Sequence, residues 1–114
     1  MKKFRSNCPL ARSLNLVGDK WTMLVLRDIS VKGTATYKDL AAMPEGIATN
    51  TLAERLDKLV RAEMLIKTKS EKNKLVFNYQ ITEKGKQLLP VLNALSDWSI
   101  NHLFQKDELA HLAY

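Results

Sequence analysis

Apolar residues recur at Leu52, Leu56, Leu59 and Val60, while Asn50, Thr51, Glu54, Lys58 and Arg61 fall between them and Arg55 stands at the boundary. Spacings of three and four put the two sets on opposite faces, which predicts an amphipathic helix from about Thr49 to Met64. Upstream, Leu10, Leu14 and Val17 share one face of a shorter helix over 9–17, with Cys8 at its N-cap, Pro9 in its first position and Gly18 at its end. Asp19 can cap a second helix over 20–30. There Trp21, Met23, Leu24, Val25, Leu26 and Ile29 cover most of the circumference, as expected at the centre of a core. Gly33 and Thr34 begin a turn with a short strand at 34–35, and Thr36 with Asp39 has the spacing of a capping box for a helix over 37–43. In MPEG, Pro44 and Gly46 both break helices, so this stretch is a helix-to-helix turn.

After Met64 the period falls to two. Ile66, Thr68 and Ser70 alternate with Lys67 and Lys69, and Leu75, Phe77, Tyr79 and Ile81 alternate with Val76, Asn78 and Gln80. Two such runs around EKNK predict a β-hairpin. Thr82 then caps a long helix over 83–105. Gly85 in its first turn is unfavourable by about 1 kcal/mol relative to Ala, which points to a close neighbour there. The tail, DELAHLAY, suits a further short helix or a frayed end. The order helix, helix, helix–turn–helix, β-hairpin, long helix is that of a winged helix, whose second motif helix enters the major groove. The expected class is mainly α with a small β-hairpin (α+β), in one domain over 1–114. Its DNA-binding core spans about 20–82, and N- and C-terminal dimerisation helices span about 7–17 and 83–105.

Composition narrows the partners. A chain of 114 residues, 46% hydrophobic, can bury a core without disulfides. Cys8, the single cysteine, fits a reducing compartment, or an intermolecular or reactive thiol. The 18 Lys and Arg against 12 Asp and Glu give a net charge of +6, which favours an anionic partner, nucleic acid before an anionic membrane. Arg12 and Ser13 interrupt MKKFRSNCPLARSLNL where a signal sequence would be apolar, and the run Met23–Leu26 is too short to span a bilayer. A cytoplasmic protein with no membrane partner is expected. Catalysis is not: there is no Gly-rich phosphate loop and no G-x-S-x-G, and Asp19 and Asp28 read as a cap and an ion-pair partner. His102 and His111 have only Asp107 near them, so neither a metal nor a cofactor is expected.

The candidate site lies on the polar face of the helix after MPEG. Arg55 can bind guanine bidentately, Asn50 can read adenine, and Thr49 and Thr51 can touch phosphate or a thymine methyl. Glu54 is repelled by phosphate and better suited to orienting Arg55 or Lys58. Lys38 and Lys58 are set to neutralise phosphates, and Thr36 and Tyr37 join the candidate contacts. On the hairpin, Lys67, Lys69, Lys72 and Lys74 bring four cations into eight residues, with Glu71 the only acid. That favours phosphate or minor-groove contact beyond the protection edge lysines give against strand pairing. On the long helix, Leu88, Val91, Leu92, Leu95, Ser99 and His102 follow helical spacing, and Leu89, Trp98 and Leu103 widen the stripe. A stripe this wide suggests a second buried contact, most simply a homodimer, which would hold two recognition helices about 34–36 Å apart on double-stranded DNA. Cys8, at a helix N-terminus among Lys2, Lys3, Arg5 and Arg12, is either a reactive thiol or a packed, inert residue. Two effector readings follow: a thiol switch at Cys8, or a small apolar ligand in the dimer interface near Trp21, Trp98 and the long helix. A protein-interaction module whose basic face docks an acidic partner is the alternative to a regulator.

CPLARSLNLVGDKWTMLVLRDI resembles the opening of HxlR-type transcriptional regulators. TYKDLAAMPEGIATNTLAERLDKLVRAEMLI is similar to their helix–turn–helix, and YQITEKGKQLLPVLNALSDW to their closing segment, so the resemblance covers about residues 7–103. It implies a dimeric winged-helix repressor or activator of MarR-like architecture, joined through its N- and C-terminal helices. It maps the DNA helix onto Thr49–Arg61 and the wing onto Lys67–Tyr79, and some such proteins sense oxidants or electrophiles through the cysteine of the Cys-Pro motif, here Cys8. Three positions depart from the family pattern. Ala48 replaces a frequent Ser, leaving Thr49 to cap the helix; Met64 stands where Gly is common; and the wing is short and lacks the usual Pro.

Overall fold

Pro9 opens α1 (Pro9–Val17) where a missing N–H removes no helical bond, and Gly18 closes it by donating to the Leu14 carbonyl at 2.8 Å. The computed structural model describes residues 7–109; Lys2, Lys3, Arg5 and His111 lie outside them. α2 (Thr22–Lys32) starts and stops two residues later than its apolar pattern predicts. Asp19 does cap it, but its carboxylate takes the amides of Trp21 and Thr22 and the Thr22 hydroxyl, so the regular helix begins only at Thr22. Thr22, Val25, Leu26 and Ile29 are fully buried, which makes α2 the central helix.

β1 (Ala35–Thr36) falls one residue later than expected and leads into α3 (Tyr37–Ala41). The capping box is present: the Asp39 amide donates to Thr36 Oγ1 at 3.1 Å, and the Thr36 amide donates to the Asp39 carboxylate at 2.9 Å. Gly46 takes φ 74° in the turn that follows, a conformation an L side chain rarely adopts. α4 (Thr49–Arg61) buries Leu52, Leu56 and Leu59 against Leu40, Met43 and Ile47. It ends three residues short of Met64 in a Schellman motif, in which Met64 N–H donates to the Leu59 carbonyl and Glu63 N–H to the Val60 carbonyl. Glu63 takes the left-handed conformation, φ 61°, so Met64 keeps an ordinary backbone and needs no glycine's freedom.

β2 (Leu65–Lys69) and β3 (Phe77–Ile81) form the hairpin, but β3 also pairs with β1. Among the described residues the sheet is therefore three-stranded and antiparallel, in the order β1-β3-β2. The register sets Leu65 opposite Ile81, Lys67 opposite Tyr79 and Lys69 opposite Phe77, on one face; Ile66 and Thr68 share the other with Gln80 and Asn78. In β2 only Leu65 is buried, and Ile66 is exposed. The inward anchor is thus the residue just before the alternation, not the Ile66–Thr68–Ser70 set.

The single helix expected over 83–105 is two: α5 (Glu83–Lys86) and α6 (Leu89–Leu103). Pro90 has no N–H for the Lys86 carbonyl and its ring crowds that carbonyl, so the ladder breaks at Gln87–Leu88. Thr82 caps α5 by accepting from the Gly85 amide at 3.1 Å, and its own hydroxyl donates to the Glu63 carbonyl at 2.7 Å. α7 (Lys106–Leu109) follows. No helix among the described residues is long and apolar enough to cross a membrane.

Candidate nucleic-acid interface

Tyr37 brings the two starts of the helix–turn–helix together. Its hydroxyl donates to the Thr49 carbonyl at 2.7 Å, which sets the beginning of α3 beside the beginning of α4. Thr36, Lys38, Thr49, Asn50 and Thr51 therefore belong to one neighbourhood, with Lys38, Thr49 and Asn50 exposed and Thr36 and Thr51 half-buried. Ala48 is the N-cap of α4 and offers no side-chain cap; Thr49 lies inside the helix and does not replace it, contrary to expectation. The start of α4 therefore keeps amides not used within the helix, one of which, that of Thr51, donates to Asn50 Oδ1 at 2.9 Å.

Arg55 is held by two carboxylates. Its Nε donates to Asp19 Oδ2 at 2.8 Å and its Nη1 to Glu54 Oε1 at 2.6 Å, and its side chain is 20% exposed. Glu54 thus braces Arg55 rather than pairing with Lys58. Lys58 instead donates to the Asn15 carbonyl of α1 at 3.3 Å. Arg61 pairs with Asp57 at 3.1 Å on the exposed side of α4. Asp28 is an ion-pair partner as expected, of Arg27, which also forms two 2.9 Å bonds to Glu45 in the MPEG turn. Neither the Asp19–Arg55 nor the Arg27–Glu45 link is visible in the spacing, since 36 and 18 residues separate the partners.

Partial burial raises the Asp19 carboxyl, but hydrogen bonds from Thr22 Oγ1, Arg55 and the amides of Trp21 and Thr22 outweigh it and hold the group well below the usual carboxylate range. Because the folded pKa is depressed, its stabilisation is complete above the unfolded value of about 4 and is lost as pH falls from there toward the folded value. It is fully present at neutral pH.

The hairpin lysines are all exposed. Lys67 lies over the Phe77 ring with Nζ 4.2 Å from its centroid, and Lys69 stands on the same face of the sheet. Lys72 and Lys74 sit in the turn, where Asn73 Oδ1 accepts from the Leu75 amide at 3.0 Å. Cys8 is exposed at the N-cap of α1. Among the described residues, one groove of about 420 Å³ lies beside Ile66, Gln80 and Lys86, and another of about 220 Å³ beside Leu16, Met64 and Leu88. Neither is lined by Trp21 or Trp98; a ligand site near those residues in a dimer interface would need a second copy to complete it. Trp98 instead packs on His102, ring centroids 5.2 Å apart, on an α6 that has no fully buried residue.

The family model of the HxlR-like helix-turn-helix matches residues 16–107, a stretch that begins after Cys8. MalR of Fusobacterium mortiferum, which carries the name of a regulatory protein, is 28% identical over 85% of this chain and 92% of its own. The solved structure of PA1607, described as a transcription factor, superposes with a TM-score of 0.81 at 33% identity, over 90% of this chain and 70% of that one. The quinone-bound structure of YodB from Bacillus subtilis superposes with a TM-score of 0.68 at 25% identity, over 82% of this chain and 99% of that one.

Proposed function

The chain belongs to the HxlR-like helix-turn-helix family of transcriptional regulators, and from that premise we propose that it acts as a homodimer on a pseudo-palindromic operator, with the start of α4 in the major groove. It is a regulator of transcription and not an enzyme. The observation that carries the DNA reading is the Tyr37–Thr49 bond, which gathers short polar side chains from two helix starts at the end of the motif that enters the groove. Thr49, Asn50 and Thr51 contact base edges or fix register, and Thr36, Tyr37 and Lys38 meet the flanking backbone. Lys67, Lys69, Lys72 and Lys74 neutralise phosphates. Lys58, whose bond to Asn15 is long, turns to a phosphate when one is near. The exposed apolar residues of α1 and α6 meet their counterparts on a second copy.

If the dimer neutralises about six phosphates, log K for an operator should fall against log[salt] with a slope near −5. Titrating a selected operator duplex from 50 to about 300 mM salt checks this; a flat response would remove the DNA reading. For the effector, exposed Cys8 at the start of α1 and the quinone bound by YodB support a thiol-reactive molecule. Cys8→Ser should keep full operator affinity without oxidant and lose any response to a quinone or diamide. A response that survives the substitution excludes Cys8 as the sensor.

A further inference from the structure

Arg55 belongs to the helix assigned to the groove, yet its guanidinium turns back toward the protein. Asp19 Oδ2 takes Arg55 Nε and also the amides of Trp21 and Thr22, while Oδ1 takes the Thr22 hydroxyl. The carboxylate is thereby fixed to the start of α2, the most buried helix. Glu54 holds the Arg55 guanidinium from the other side. Before α4 the Arg27–Glu45 pair ties the turn to α2. The apolar side chains Leu52, Leu56 and Leu59 set how closely α4 approaches the core. They resist rotation about the helix axis only softly, whereas a charge-assisted bond to a planar guanidinium has a fixed direction.

Rotation is what base reading cannot tolerate. A turn of about 20° moves a side-chain tip, roughly 5–6 Å from the axis, by about 2 Å. Hydrogen bonds to base edges fail over a few tenths of an ångström beyond their usual range. We propose that Asp19 is a positioning residue for operator recognition: acting through Arg55, it sets the rotation of α4 and so the direction in which Thr49, Asn50 and Thr51 meet the bases. Arg55 then holds the helix instead of reading guanine. This rests on the DNA-binding reading of α4.

The test is a double-mutant cycle in full-length protein. Dissociation constants of wild type, Asp19→Asn, Arg55→Met and the double variant are measured for a duplex selected with wild type and for a random duplex of equal length. Each single substitution should weaken the selected duplex about 10- to 30-fold, and the double no further, with random-duplex affinity within about twofold. The lost discrimination should spread over all base pairs read by α4. If Asp19→Asn does not fold, Arg55→Lys carries the comparison: it keeps an ion pair with Asp19 and should regain most of the affinity lost by Arg55→Met, with unchanged base preferences. The proposal is overturned if Asp19→Asn binds the selected duplex like wild type, if Arg55→Met relaxes preference at a single G·C pair with additive loss in the double, or if both duplexes weaken equally. Failure of wild type to prefer any duplex is a different outcome, and it overturns the DNA reading itself.

Discussion

Leu95→Glu should convert the proposed dimer to a monomer at micromolar concentration and weaken operator binding by about 100-fold or more, the avidity lost when two linked half-site contacts become one. Leu95 is 49% exposed and Trp98 56% exposed, and Val91 and Leu103 on α6 and Leu10 and Leu14 on α1 are exposed as well. Single exposed apolar residues are ordinary, but Val91, Leu95 and Trp98 repeat at four and three residues along one face of a helix that buries no residue fully. Leu88 and Leu92 of the same segment pack against the protomer's own core. A carboxylate at Leu95 would therefore leave the protomer's packing intact while placing an unpaired charge in the apolar contact proposed between copies. Sedimentation equilibrium reads the oligomeric state and mobility shift reads the affinity. A Leu95→Glu dimer with wild-type affinity would show that α6 does not join the copies.

Gly85→Ala should lower the free energy of unfolding by about 2–3 kcal/mol. Helix propensity alone gives the opposite sign, a gain of about 1 kcal/mol for Ala over Gly, so the direction of the change decides between them. A Cβ at Gly85 would stand 2.6 Å from the Met64 carbonyl oxygen and 2.6 Å from Ile81 Cγ1. The Ile81 side chain can move, but the Met64 carbonyl is backbone. It accepts the Thr82 amide at 3.1 Å, in the bond that ties the end of β3 to the close of α4. Making room means lengthening that bond or shifting α5, whose cap at Thr82 also depends on the Gly85 amide. Urea denaturation of both proteins measures the difference, and a stabilised Gly85→Ala would mean the junction relaxes without strain.

Both arguments begin from features legible in the chain. The glycine in an otherwise helical turn signalled a close neighbour, and the wide apolar stripe after Thr82 signalled a surface beyond the protomer's own core. The neighbour at Gly85 was not legible: it is the backbone of a segment about twenty residues earlier. Pro90 was legible and its consequence still went unread, because the apolar period runs through Gln87–Leu88 as if the helix were unbroken. β1 was legible as a short strand after Gly33, one residue early, but its pairing with β3 was not. Two residues carry no period, and a strand that short exists only because β3 presents an edge to it.

Local periodicity and capping chemistry act within a few residues, and they determined the helix–turn–helix, the hairpin, the central helix with Asp19 at its start, and the polar residues at the start of α4. The resemblance to HxlR-type regulators rested on the same local motifs, which is why the family comparison agrees with it. Tertiary structure alone decided what those polar residues are free to do. A charged side chain on an amphipathic helix looks available for DNA in any linear reading, and Arg55 did. Whether an opposite charge already holds it depends on which distant segment packs alongside, and for Arg55 that segment is the start of α2.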